Sequence, residues 1–289
     1  MRVSCLLTLA MADLALSGFA AASARLEQAF ALAGTDPELR ARCQCQRGNV
    51  LLQAGEFAEA ARDLAVAESE PQWFSTRERA VIGVSLGVVS FELGRPDEAI
   101  RAEATAADIA REAGDDRLLF MAEHNRGYHR YLTGDLPGAL AAMAAAEELD
   151  ADVFRGTSLF ALARVLGEAG LLDQAVGALD RAEAACRPRV DRMLRAEIER
   201  ERAVLLRLAG EFTEAAASAR SALSRFQQLG APGPAATAAL IVLDCDLSRG
   251  RRLGRVLENS LSLGEVARGL GDTDLAARSS AVAAEAAAR

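Results

Sequence analysis

The stretch G-Y-H-R-Y-L-T-G-D-L-P-G-A-L-A-A-M-A-A-A, Gly127 to Ala146, decides how this chain is read. It is the end of one helix, a turn at Gly134–Asp135, and a second helix that carries Ala139 and Ala146. The same phrase returns elsewhere. G-E-F-A-E-A-A runs from Gly55 to Ala61, G-R-P-D-E-A-I from Gly94 to Ile100, and G-E-F-T-E-A-A from Gly210 to Ala216.

Aligned on the turn, six repeats emerge, at Ser17-Gly18, Gly55, Gly94, Gly134, Gly170 and Gly210. From Gly55 onward the spacings are 39, 40, 36 and 40 residues. Seven residues before each turn stands a small residue: Ala10, Gly48, Gly87, Gly127, Ala163 and Ala203. Five after it comes an alanine each time: Ala22, Ala60, Ala99, Ala139, Ala175 and Ala215. Twelve after it comes another: Ala29, Ala67, Ala106, Ala146, Ala182 and Ala222. A residue without bulk where two helices cross lets their backbones close up. The glycine of the turn can take a positive φ and so end the first helix. Pro96 fits the first turn of its helix, where a missing N–H costs little.

This pattern resembles the tetratricopeptide repeat, a helix–turn–helix unit with small residues at such positions. The resemblance covers residues 1 to about 230 and implies an all-α, TPR-like alpha-alpha superhelix. That is a right-handed solenoid of helical hairpins with about six to seven repeats and roughly 13–15 helices. Glu103 and Ala219 depart from it, because a large apolar residue is usual there; those seams are expected to be looser. Linkers are expected at Ala33–Glu38, Glu70–Phe74, Gly114–Asp116, Leu149–Asp152 and Arg187–Arg189. The lone tryptophan, Trp73, lies in one of them and reads as a plug between repeats. After a Pro/Gly break at Ala231–Ala235 the signature decays, with Arg255 and Ser262 in the alanine slots. Residues 231–289 are therefore read as a degenerate seventh repeat plus a capping helix of the same solenoid, with helices at Pro234–Ser248, Arg252–Gly269 and Asp272–Arg289.

Composition sets limits on function. The 289 residues are 51% hydrophobic but only 4% aromatic, and all 33 basic residues are arginine. A net charge of −8 argues against a nucleic-acid or anionic-membrane partner. No run reaches the roughly 20 apolar residues of a membrane span. Arg2, the apolar run Val3–Ala12 and the small residues Ala20–Ala24 outline a signal peptide, but Asp13 interrupts that run and the segment fits the repeat. Five scattered cysteines, an odd number, read as reduced core thiols of a cytoplasmic protein.

Two stretches are similar to something narrower. His124–Leu140 and Leu162–Ala175 resemble the helical arrays that precede the caspase-like domain of actinobacterial CHAT proteins. The peptidase half has no counterpart in this sequence, which implies a recognition arm without its enzyme.

No residue set supports catalysis. Cys43 and Cys45 point to nearly opposite sides of a helix, and no second pair completes a metal site. The acidic run Glu147, Glu148, Asp150, Asp152 lacks the glycine and spacing of a calcium loop and reads as a solvated turn. His124 and His129 diverge by about 140° on one helix. No phosphate-binding glycine loop is present. Neither cofactor nor metal is expected, and no enzyme activity.

What remains is surface. In tetratricopeptide arrays the first helix of each hairpin lines the concave face, through residues ten, six and three before the turn. Carried over, these are Cys45, Asn49 and Leu52; Val84, Val88 and Phe91; His124, Tyr128 and Tyr131; Phe160, Arg164 and Gly167; Arg200, Val204 and Arg207. Both tyrosines of the chain fall on this stripe, with three arginines after them. Aromatic rings and guanidinium forks are enriched where partners bind. The alternative is that these side chains only fill the inner wall. The clamp for a terminal carboxylate is not reproduced, since Asn49 matches it but Cys45 stands where a lysine is needed. The partner-binding set is Asn49, Phe91, His124, Tyr128, Tyr131, Phe160, Arg164, Arg200 and Arg207. It implies a protein or peptide segment with apolar anchors and acidic residues. Two other readings stay open: a sensor array that binds a signal peptide or small ligand and acts in trans, and a truncated arm of a CHAT-type peptidase. Oligomeric state is not legible.

Overall fold

The computed structural model describes residues 2–149 and 155–289. Fifteen α-helices and one 3₁₀ turn make up the described residues, and no strand occurs among them. The chain forms two compact units, Met1–Ala151 and Asp152–Arg289. The first holds four hairpins: α1 (Arg2–Ser17) with α2 (Phe19–Ala33), α3 (Pro37–Ala54) with α4 (Phe57–Ser69), α5 (Thr76–Glu92) with α6 (Pro96–Glu112), and α7 (Asp116–Leu132) with α8 (Leu136–Glu147). The second holds α9 (Arg155–Glu168) with α10 (Leu172–Ala185), α11 (Arg192–Leu208) with α12 (Phe212–Gln228), α13 (Pro232–Ser248) with α14 (Leu253–Gly269), and α15 (Thr273–Ala288). The protein is thus all-α, built of TPR-like helical hairpins. Parts of the expected Leu149–Asp152 linker, and Asp150 and Asp152 of the acidic run, lie outside the described residues.

The hairpins close as the sequence pattern requires. All twelve signature alanines of the second helices, from Ala22 to Ala222, are fully buried. Gly134 has φ 86°, a conformation that strains any residue with a Cβ. Behind it, Asp135 caps α8 by accepting from the backbone N–H of Gly138 at 3.0 Å. α5 starts with a complete capping box between Ser75 and Glu78.

The small residue seven before each turn has a partner nine after it. A Cβ on Gly48 would lie 2.8 Å from Cγ of Leu64, and one on Gly127 would lie 2.7 Å from Cγ of Met143. Glycine is needed because the facing side chain occupies its Cβ position. Glu103 takes the same place over Gly87. It does not loosen the seam: its stem fills the crossing, fully buried, and its Oε2 lies 3.1 Å from Nδ1 of His129 on α7. The Phe91 ring stacks on His129 at 4.0 Å. Nor is the seam loose at Ala219, which is fully buried in a cluster with Ile241 and Cys245 of α13. There the next hairpin supplies the missing volume.

The first segment forms a packed hairpin, with Val3, Ala10, Ala22 and Leu26 buried. The helices of residues 231–289 run within a few residues of their expected bounds. Ala235 and Ala238 of α13 share a core with Ala222 and Phe226 of α12. Leu275, Ala276 and Ala286 of α15 pack on α13 and α14. No helix among the described residues is long and apolar enough to cross a membrane. All five cysteines are free thiols.

Candidate binding surface

In the first unit the face built by α1, α3, α5 and α7 carries nine of the expected groove residues. Val84 is buried; Cys45, Asn49, Leu52, Val88, Phe91, His124, Tyr128 and Tyr131 are half-buried. Half-burial is what a lining residue requires, held by its neighbours yet reachable. The Ser85 hydroxyl donates to Oδ1 of Asn49 at 2.8 Å, which fixes the amide. Among the described residues its NH₂ meets only the Cys45 sulfur, at 3.9 Å. Burial pushes the Cys45 thiol up to about 11, so it is an inert wall and not a nucleophile.

Tyr128 and Tyr131 lie 6.2 Å apart, tilted by 41°. His124 stacks on Phe120, and burial pushes its pKa down to about 4. Its imidazole is therefore neutral near pH 7, and its Nδ1 has no hydrogen-bond partner among the described residues. Phe91 is engaged by His129, so its ring serves the seam between α5 and α7. The two histidines do not form a joint site, since His129 turns inward to Glu103 while His124 stacks on Phe120.

A cavity in this face lies nearer the N-terminus than the tyrosines. It opens between α1, α3 and α5, with a volume of about 410 Å³. Leu7, Met11, Phe74 and Val81 supply apolar wall, and Gln46 and Asn49 supply amides. At its rim Arg42 pairs with Glu78 at 2.8 Å and lies over the Phe74 ring at 5.8 Å. Only Cys45 and Asn49 of this lining belong to the expected stripe. The α1 residues were missed because the offset rule was applied from the second hairpin onward. Ten and six before Ser17, the position from which the small residues of the first repeat are counted, are Leu7 and Met11, which do line the cavity. Phe74 sits in a linker, where helical periodicity carries no signal.

A larger cavity, about 590 Å³, lies off this face between α2, α3 and α4. Its charged wall is already satisfied: Arg47 forks onto Asp63 with bonds of 2.6 and 2.7 Å.

In the second unit Phe160, Arg164, Gly167, Arg200, Val204 and Arg207 are also half-buried. The arginines were expected to give this face a positive end. They do not stand as a positive patch. Arg200 pairs with Glu197 at 2.6 Å and Arg207 with Asp244 at 3.1 Å. Burial pushes the Glu201 carboxyl up, and the charges of Arg200 and Arg164 pull it back. Three guanidinium groups thus stand among three carboxylates, Glu197 and Glu201 of α11 and Asp244 of α13. Counting arginines in a stripe missed this, because the acids sit three residues away or on the next helix.

Among solved structures, a STAND ATPase with a tetratricopeptide repeat sensor from Pyrococcus horikoshii matches 93% of this chain with a TM-score of 0.73 at 14% identity. The fold is that of tetratricopeptide-type arrays. The match covers 41% of that protein, so this chain spans about two fifths of its length. The apo form of RapI matches 99% of this chain and 97% of its own, with a TM-score of 0.67 at 12% identity. The apo form of the quorum sensor NprR from B. thuringiensis matches 97% of this chain and 86% of its own, with a TM-score of 0.68 at 13% identity. Identities this low show the fold alone. No protein-family model and no curated protein matches the sequence.

Proposed function

We propose that this chain is a non-enzymatic, cytoplasmic binding module that holds a protein or peptide segment on the first-helix face of its hairpins. The observation that carries this reading is the cavity between α1, α3 and α5, with apolar walls, two amides and a fixed ion pair at the rim. Convergent polar groups around an apolar pocket are the usual form of a recognition site. An apolar side chain of the segment fills the pocket, and Tyr128 and Tyr131 hold a second anchor. Acidic residues of the segment would have to compete with Glu197 and Asp244 for the arginines of the second unit, so apolar anchoring comes first.

The neighbours in fold include a quorum sensor and a Rap protein solved with the competence and sporulation factor. That supports a peptide as the held segment, and with it the sensor reading. The resemblance of His124–Leu140 and Leu162–Ala175 to CHAT-associated arrays supports a recognition arm whose effector is a separate domain. A caspase-like reading frame downstream of Arg289 would favour the arm.

The test is affinity capture with the intact chain and with Val81→Glu, followed by mass spectrometry and titration of the captured segment. Val81→Glu is expected to abolish capture. Tyr131→Ala is expected to weaken binding by ~2 kcal/mol if it is a hot spot. Equal capture by all three proteins, each folded by circular dichroism, would remove this face as the site.

A further inference from the structure

Six hairpins close on small residues, and the seventh cannot. Around its turn at Gly250, Leu243 stands seven before, Arg255 five after and Ser262 twelve after. Bulk at both crossing positions keeps α14 from settling onto α13 as the second helices do elsewhere. α14 packs instead on α15, where Gly264 meets Ser279 and Ala276.

A trough is left between α12, α13 and α14, with a cavity of about 290 Å³. Its floor is Leu223, Val242, Leu243, Leu263 and Val266. Val266 is 48% exposed, and Leu270, the residue that caps the C-terminus of α14, is 43% exposed. That is large apolar surface left to water on a helix flank. In the other direction the stripe Val266, Ser262, Asn259 continues to Arg255 in steps of three and four residues, which share one face of a helix. Arg255 is exposed and has no ion-pair partner among the described residues, and the same holds for Arg251 and Arg252 at the head of α14. From α12, Arg220 reaches the same end and shares Asp246 with Arg249. Glu258 and Glu265 of α14 lie off this stripe. An apolar floor therefore ends in a basic corner, where Arg251, Arg252 and Arg255 have no ion-pair partner among the described residues, on a chain whose net charge is −8.

We propose that this trough is a second docking surface, which takes an amphipathic helix of a partner protein with apolar anchors along one face and carboxylates at one end. The charge of the corner selects the acid. The walls, two helices flanking a third, suit a helix that offers anchors at i, i+3 or i+4, and i+7. A drug-sized ligand is poorly served, since such pockets run from about 300 to 1,000 Å³ and enclose their occupant. The surface is independent of the cavity between α1, α3 and α5.

The test uses a displayed library of 16-residue helical peptides with randomised faces, selected on the intact chain. Winners are titrated against Val266→Glu, Arg255→Glu and Val81→Glu. Peptides enriched in Asp and Glu at one end are expected, losing at least tenfold in affinity on Val266→Glu and on Arg255→Glu. Their binding is expected to weaken with salt and to be unchanged on Val81→Glu. Ser262→Trp, which fills the trough from an exposed slot, gives a second block should Val266→Glu fold poorly. Winners that bind the trough variants as tightly as wild type, winners without carboxylates, or no winners at all would overturn the proposal. So would sedimentation that shows a dimer of the wild type dissociated by Val266→Glu, because the trough would then hold a second copy.

Discussion

At the scale of single residues, Glu103, His129 and His124 are ionisable side chains packed among the helices of the first unit. Glu103 is fully buried against His129, and His124 is half-buried beside Phe120. Their effects on stability have opposite signs. Burial raises the Glu103 pKa from its ordinary 4.5, so the folded chain keeps that proton to higher pH than the unfolded chain. Stability from this group falls as pH rises through that window. His124 takes up a proton near 6.5 when unfolded but only at about 4 when folded. Between those values the unfolded chain binds the extra proton, so stability falls as pH drops. If the whole shift is realised, that loss is about 3 kcal/mol. We expect His124→Phe to flatten the fall in melting temperature between pH 6.5 and 4, and Glu103→Gln, which removes an opposing gain above pH 4.5, to steepen it. A His124→Phe profile parallel to wild type would mean that the imidazole is solvated. Neither burial was legible in the sequence. A histidine and a glutamate look polar in a helical pattern until the glycine opposite, Gly87, is known to leave a slot for the stem.

At the scale of the element, the hairpin is a device for close approach, and its code is local. That is why it could be read. The turn glycines and the alanines at fixed offsets name both helices and the side on which they touch, and every one of those alanines is buried. The partner surfaces were less legible, because the ion pairs that silence Arg200 and Arg207 involve residues in other registers. The cavity likewise draws on a linker phenylalanine and on the first helix, whose turn breaks the pattern. The code makes a sharp comparison possible within one chain. Ala139 and Arg255 occupy the same slot, five after a turn, but Ala139 is fully buried at the crossing and Arg255 is exposed beside a trough. We expect Ala139→Leu to cost ~1–3 kcal/mol through overpacking. Arg255→Leu should stay within about 0.5 kcal/mol, as a surface change does. Denaturant midpoints of the two variants, measured side by side, check this. Similar losses would mean that α14 crosses α13 as tightly as α8 crosses α7.

At the scale of the whole molecule, each of the two compact units has hairpins and core clusters of its own. In arrays of this kind stability is a sum of repeat terms and nearest-neighbour interfaces, so a local loss need not spread through the chain. The chain offers a convenient way to see this. Its single tryptophan, Trp73, and both tyrosines lie in the first unit, while helices fill both. Tryptophan emission therefore follows the first unit, and far-ultraviolet circular dichroism follows the two together. Phe226 is fully buried in the second unit, among Ala196, Ala222, Ala235 and Ala238. Its replacement by alanine should remove ~3–5 kcal/mol, because small neighbours cannot collapse into the space. We expect Phe226→Ala to split the circular dichroism transition, with about half the helical signal lost at lower denaturant. The tryptophan midpoint should stay within error of wild type. A tryptophan transition that moves with the circular dichroism would show that the two units unfold as one cooperative body. A ligand on the first unit would then stabilise the second, which titration of the captured segment against Phe226→Ala would detect as a rise in both midpoints.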